Sequence, residues 1–409
     1  MDYGSSASVY QPPMPDPAAL AALRSALLDD LETLDRIADL PRAEAIAALF
    51  RFAAERNIDV GEEALAHGLR PDPLGLDRFE PRQVTDHAPP SQAWLPSGIA
   101  SDGTQMLLDW AHFGSAPFDE PFFESPLRRA RQHPVSQLYH WCTPLGLLAD
   151  EAPAAAEPVL DGLVLHMSRC GSTLVAQALA AMPGHVVLSE PAPLDALLQF
   201  CVTRADIPLA TRIALLRGMV AALAAPRTGP VRRRFLKADC WHTGALPLLH
   251  AAFPETPWIF LHRDPRDVLI SHERMPGAQT IPGPQSAMLG IDDPAALPGL
   301  DFTARVLAAT CHKAADHAAL GGGLFIDYAE LPEAFATRIL PHFGIVPDAV
   351  ETDAIAAALV RDAKEPRKPF DPAERAPRDS ASAAVIAASD RHLAPAVERL
   401  RAIQRSFAD

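Results

Sequence analysis

His166-Met167-Ser168-Arg169-Cys170-Gly171-Ser172-Thr173-Leu174 follows the apolar run Leu163, Val164, Leu165 and precedes a helical pattern from Val175 to Met182. The stretch reads as strand, short loop of small residues, helix. At a helix start the first backbone N–H groups lack partners and carry partial positive charge, so they take an anion without a cationic side chain. Gly171 lets the backbone approach closely, and the Ser172 and Thr173 hydroxyls add donors. A nucleoside-triphosphate loop would read G-x-x-x-x-G-K-[ST], with its Lys on the terminal phosphates. Here no Lys follows Gly171, and the cation, Arg169, comes before it. An anion cradle is predicted; a triphosphate is not.

Outward from this loop, short apolar runs alternate with helical patterns. Strands are predicted at Gly162–His166, Val186–Ser189, Phe235–Ala238, Trp258–His262 and Leu324–Tyr328. Helices are predicted at 173–182, 208–225, 243–253, 265–274, 301–319 and 330–343. Apolar strands separated by helices predict a mostly parallel α/β sheet of about five strands, covered on both faces. Residues 276–300 are rich in Pro and Gly with no clear period, as lids and binding loops often are.

In an open parallel sheet, ligands bind beyond the carboxyl ends of the strands. Those ends carry the polar residues: the Ser168–Thr173 loop, then Ser189-Glu190-Pro191, then Lys237 with Asp239, then Arg263-Asp264-Pro265-Arg266-Asp267. Asp264 suits a helix N-cap and Pro265 the first helical position. Ser271 lies in the helix that follows and shares an anion with Arg263 only if the turn brings it back.

Together, Arg169-Cys170-Gly171-Ser172-Thr173 and the Arg263…Ser271 segment resemble the sulfotransferases that use 3′-phosphoadenosine 5′-phosphosulfate (PAPS). The resemblance covers roughly 158–370 and extends to Phe325-Ile326-Asp327-Tyr328-Ala329-Glu330-Leu331. It implies a P-loop-type three-layer α/β/α fold, PAPS as co-substrate, adenosine 3′,5′-bisphosphate as product, and no required metal. It further implies that Ser168, Arg169, Cys170, Gly171, Ser172, Thr173 and Leu174 hold the 5′-phosphosulfate, and that Arg263 and Ser271 hold the 3′-phosphate. A late basic loop often covers that phosphate in the family, which singles out Arg367 and Lys368 in Lys364-Glu365-Pro366-Arg367-Lys368. Cys170 stands where Ser is commoner.

The family's bases are a His two places after a strand Lys or a Glu after the second strand. Lys237-Ala238-Asp239 lacks that His, while Glu190 occupies the position used in the tyrosylprotein branch. Glu190 is therefore the expected general base, with Lys237 and Arg169 stabilising charge on the sulfuryl oxygens and leaving phosphate. Cations around Glu190 would lower its pKa, so burial has to oppose them. Asp239, His242 and His250 are the other candidate bases.

Composition bounds the alternatives. A net charge of −15 with pI near 5.4 argues against general nucleic-acid binding. The five cysteines are scattered without a C-x-x-C pair, which suits neither zinc nor a disulfide framework and fits a reducing cytoplasm. Neither a signal peptide nor a membrane span is expected. Residues 1–70 read as a polar leader and helices, one of them from Ala18 to Leu40. That region either loosely resembles the helical domain of nitrogen-fixation-type leader peptides or is a plain helical hairpin. Residues 71–157 read as a linker and an aromatic-rich block packing on the core, and 158–409 as the nucleotide-binding domain.

Two other function classes compete with sulfuryl transfer. One is an ATP-dependent kinase, which the missing Lys disfavours. The other is a non-catalytic nucleotide- or peptide-binding protein of the same fold. No motif selects among small-molecule, carbohydrate, lipid and peptide acceptors, and none sets the oligomeric state.

Overall fold

The computed structural model describes residues 15–70, 72, 76, 83–154, 157–227, 229–291, 299–365, 367–369 and 381–406. The polar leader before Pro15 lies outside these, as do parts of the linker and of the 276–300 loop. The chain divides into two compact units. One joins Met1–Ala116 to Leu127–Pro144, and the other joins Pro117–Pro126 to Leu145–Asp409.

In the first unit the leucine stripe makes two helices rather than one, α1 (Pro17–Leu28) and α2 (Leu31–Ala38). The Asp30 carboxylate explains the break, because it accepts the Thr33 N–H at 3.2 Å and starts a new helix. Helices α3 (Arg42–Glu55) and α4 (Glu62–Gly68) follow. Leu23, Leu27, Leu34 and Leu49 are fully buried, which is what the stripe was for. An antiparallel sheet of β1 (Trp94–Ser101), β2 (Met106–His112) and β3 (Cys142–Pro144) completes the unit. Its aromatics pack on one another: Trp94 lies 5.6 Å from Tyr139 and 5.8 Å from Trp141, ring centre to ring centre. The block 71–157 is thus split. Phe118, Phe122 and Phe123 belong to the second unit, where the Phe123 N–H donates to the Ser189 carbonyl at 2.9 Å.

The second unit is built on β4 (Gly162–His166), β5 (His185–Ser189), β6 (Arg233–Lys237), β7 (Trp258–His262) and β8 (Gly323–Asp327). All neighbours pair in parallel, in the order β5-β6-β4-β7-β8. Every residue of β4 and β7 is buried, so both faces of the sheet are covered by helices. From β4 the chain winds first toward β5 and β6, then to the other side for β7 and β8. That reversal opens a crevice at the carboxyl end of β4, where α5 (Ser172–Ala180) begins. Helix α6 (Pro265–Arg274) follows β7 as expected. The helix predicted at 330–343 is present over 333–342, entered after a short turn at Tyr328–Glu330 and carrying a π segment at Phe335–Ile339. Among the described residues no helix is long and apolar enough to cross a membrane, and all five cysteines are buried thiols outside any disulfide.

Candidate active site

A cavity of about 540 Å³ opens at the crevice, and the Ser168–Leu174 loop forms one wall. Ser168, Arg169 and Gly171 have φ of +78°, +52° and +87°, so the loop folds back sharply on itself, the kind of backbone in which successive N–H groups can form an anion-binding cradle. Glycine is required at 171 for a second reason. A Cβ there would meet Tyr328 Cδ2 at 2.8 Å and Leu331 Cδ1 at 2.9 Å. Holding Ser168 and Arg169 left-handed costs on the order of 1–2 kcal/mol each, and such strain gathers where function fixes a backbone.

Cys170 turns away from the cradle. Its thiol donates to the Leu261 carbonyl on β7 at 3.1 Å. Burial pushes that thiol up to about 12, so it remains a neutral packing group despite its place at a helix start. The backbone at Cys170, not its side chain, is what a ligand would meet.

Arg169 lines the cavity, and its guanidinium donates to the Met275 carbonyl at 2.9 Å. Ser168 accepts from Gln279 Nε2 at 2.7 Å. Ser168 thus ties the 276–300 loop to the cradle at Gln279, and Arg169 holds the chain just before that loop, at Met275. Gly277, Ala278 and Gln279 join the cavity wall, within the stretch whose composition suggested a binding loop.

Glu190 leaves β5 with φ of +54°, and its N–H donates to the Lys237 carbonyl at 2.7 Å. The kink turns its carboxylate into the cavity, and Oε1 pairs with Nζ of Lys237, which is not itself a lining residue. Lys237 is fully buried, and its ammonium sits 5.1 Å from the Phe122 ring centre. His166 Nε2 lies 3.3 Å from the same carboxylate oxygen, while His166 Nδ1 accepts the Ser168 N–H at 3.0 Å. Burial pushes Glu190 up, but the Lys237 charge and the contact with His166 outweigh it and hold the carboxyl far below its ordinary range. Burial lowers His166 and favours its neutral ring.

Asp239, two places after Lys237, caps the turn Cys240–Ala245 and also lines the cavity. Burial pushes its carboxyl up from 3.8 to about 7, and the Glu190 and Asp195 charges push the same way. His242, a candidate base in the sequence, is spent on structure. Its Nδ1 accepts the Asp239 N–H at 3.2 Å, and its Nε2 lies 2.7 Å from Asp195 Oδ1. Asp195 accepts besides from Trp241 Nε1 and Gln199 Nε2, each at 2.8 Å. Asp195, Asp239 and His242 place one ligand atom each within 4.8 Å of one another, but these hydrogen bonds occupy most of that donor set. His250 does not line the cavity.

Asp264 caps α6, accepting the Arg266 and Asp267 N–H groups at 3.0 and 3.4 Å. Arg263 is fixed by Asp267 Oδ2 at 3.2 Å, and its guanidinium carbon lies 4.5 Å from the Tyr328 ring centre. Ser271 does return to the same cavity as Arg263. Arg266 instead reaches Asp390 on the surface.

Arg367 and Lys368 are the misplaced choice. Both are exposed and neither lines the cavity, and Lys368 pairs with Glu365. The Asp362 carboxylate accepts the Lys364 and Glu365 N–H groups, each at 2.8 Å, and Arg361 bridges to Pro369. Glu365, Arg367 and Lys368 are exposed, while Arg361 and Lys364 line the cavity wall. A run of charges shows that a basic loop exists; only the turn decides which cations face in.

Residues 163–346 match the model described as the sulfotransferase family. Among solved structures it is similar to sulfotransferase STF9 from Mycobacterium avium, at 16% identity over 60% of this chain and 79% of that one, with a TM-score of 0.39. It is similar also to a sulfotransferase from Alicyclobacillus acidocaldarius, at 14% identity over 61% and 96%, with a TM-score of 0.36. The sulfotransferase domain of the Synechococcus olefin synthase shares 17% identity over 59% and 97%, with a TM-score of 0.35. No curated protein matches the chain.

Proposed function

We propose that this chain transfers a sulfuryl group from PAPS to a hydroxyl or amine acceptor by in-line displacement, releasing adenosine 3′,5′-bisphosphate. One observation carries the reading. The anion cradle, Arg263, Ser271 and the Glu190 carboxylate all open on a single cavity of about 540 Å³, with the cradle and the carboxylate in the same walls. That size suits one nucleotide-like ligand.

The roles follow from position. Backbone N–H groups at 170–174 and the Ser172 and Thr173 hydroxyls bind the phosphosulfate. Arg263 and Ser271 bind the 3′-phosphate, with Arg361 and Lys364 replacing Arg367 and Lys368 as the late cations. Lys237 and Arg169 stabilise charge growing on the sulfuryl oxygens and the bridging oxygen. Glu190 takes the acceptor proton. In the free protein Lys237 holds Glu190 ionised and weakly basic. Drawing Lys237 onto the bound sulfuryl group removes that restraint, so Glu190 becomes a stronger base when the donor is present. The rest of the rate enhancement comes from alignment of donor and acceptor.

Melting curves test the donor. Adenosine 3′,5′-bisphosphate should raise the melting temperature far more than ATP with magnesium does. Equal shifts, or none, would sink the reading and revive a kinase. A screen of small hydroxyl, amine, sugar, lipid and peptide acceptors with labelled PAPS then identifies the acceptor class.

A further inference from the structure

Asp239 is a cavity residue to which the transfer step, as assigned above, gives no task. It stands two places beyond Lys237, in the same wall as Glu190. Its position is held from behind. The Asp239 N–H is fixed on His242 Nδ1 at 3.2 Å, and His242 Nε2 is fixed on Asp195 Oδ1 at 2.7 Å. Since Nδ1 accepts, the ring hydrogen sits on Nε2, donating to Asp195, and both nitrogens are occupied. His242 is thus a positioning residue with no free nitrogen for a travelling proton. The Asp239 carboxylate approaches that ring only to 3.8 Å and opens on the cavity instead.

We propose that Asp239 is a proton relay of this site: it receives the acceptor's proton from Glu190 after transfer and releases it to water in the cavity. The inference rests on the sulfuryl-transfer reading above. As the bond from sulfur to the acceptor forms, the bond from sulfur to the donor phosphate breaks, and its electron pair stays on the phosphate oxygen. The acceptor's proton goes to Glu190. When the bisphosphate leaves, Lys237 returns to Glu190 and makes it too weak a base to keep that proton. His166 Nε2, 3.3 Å from Glu190, already carries the ring hydrogen because Nδ1 accepts the Ser168 N–H, which leaves Asp239, at the neighbouring strand end in the same cavity, to take it. Nothing is oxidised or reduced, and each turnover delivers one proton to solvent. The charged and titratable groups around Asp239 are Glu190, Lys237, Asp195, His242 and Cys240. Of these only Glu190 and Lys237 change partners during the cycle.

The test compares wild type with Asp239→Asn, using labelled PAPS and the best acceptor from the screen. The first turnover is measured by rapid quench and later turnovers in the steady state. In Asp239→Asn the first turnover should stay within about twofold of wild type, while steady-state kcat falls about tenfold or more. Wild-type kcat should rise with pH through about 7, where Asp239 becomes ionised and able to accept, and that limb should vanish in the variant. An unchanged steady state, or a limb that persists in Asp239→Asn, overturns the proposal. So does a first turnover that falls as far as the steady state, because Asp239 would then act in the transfer itself. An unaltered melting shift with adenosine 3′,5′-bisphosphate serves as the folding control. If Asp239→Asn fails it, Asp239→Glu carries the test: the pH limb must move with the new carboxyl, and an unmoved limb overturns the relay. A wild-type protein that transfers nothing from PAPS defeats the functional reading itself, a result distinct from all of these.

Discussion

Glu190 and Asp239 stand at the ends of neighbouring strands, the first half-buried and the second buried, both facing one cavity, yet their surroundings drive them in opposite directions. Burial raises both. Glu190 is kinked onto the Lys237 ammonium, which overcomes burial and holds the carboxyl far below its ordinary range. Asp239 has no such cation against its carboxylate, so burial wins and it sits near 7. Two carboxylates within one wall acquire different tasks because one lysine side chain can meet only one of them.

The largest test of that contrast is removal of the lysine. Lys237→Ala should cut kcat/KM about a thousandfold in labelled-donor assays, as the loss of a group stabilising transition-state charge does. A fall of less than about tenfold would leave Lys237 as a structural residue only.

Carboxylate-to-amide changes should then have opposite signs in stability. Glu190→Gln leaves the buried Lys237 ammonium without its ion partner, a loss on the order of 3 kcal/mol, and should lower the melting temperature at pH 8. Asp239→Asn should raise it. The Asp239 pKa is higher folded than its ordinary 3.8, so the folded state holds an extra proton between about 4 and 7. Stability from this group therefore falls as pH climbs through that window, and above it the folded protein carries a buried charge that the amide removes. Matching signs for the two variants would break the comparison.

Smaller effects sharpen it. Arg263→Ala should weaken adenosine 3′,5′-bisphosphate binding about tenfold in calorimetry, through loss of a charge-assisted contact. Gly171→Ala should destabilise the protein by about 1–2 kcal/mol and reduce bisphosphate binding, because the left-handed backbone and the Tyr328 ring leave no room for a methyl. Smallest of all, Arg367→Ala with Lys368→Ala should change bisphosphate affinity less than about twofold, whereas Arg361→Ala with Lys364→Ala should weaken it several-fold. Equal effects from the two pairs would place the 365–368 tip over the ligand after all.

Much of the second unit was legible from the chain. Gly162–His166 and Trp258–His262 read as strands because their apolar runs are continuous, and the structure buries every residue of both. Asp264-Pro265 announced the start of α6 through cap chemistry that acts within one turn. Where a local hydrogen bond competes with periodicity, the reading failed. Asp30 divides a continuous leucine pattern into two helices. The site was half legible. Arg169, Gly171, Glu190, Arg263 and Ser271 all reach the cavity from strand ends that sequence could place. Gln279, Arg361 and Lys364 arrive on irregular loops, where no period predicts direction.

Sequence alone led to the expectation that strands deliver anion-binding groups and one carboxylate to one edge of a parallel sheet, since strand ends and helix capping are written in local patterns. Tertiary structure decided what those groups are worth. It turned the Cys170 thiol into β7, gave Lys237 to Glu190 rather than Asp239, and spent His242 on a backbone N–H. Protonation depends on burial and on which charge lies within a few ångströms, and neither is a property of neighbouring positions in the chain.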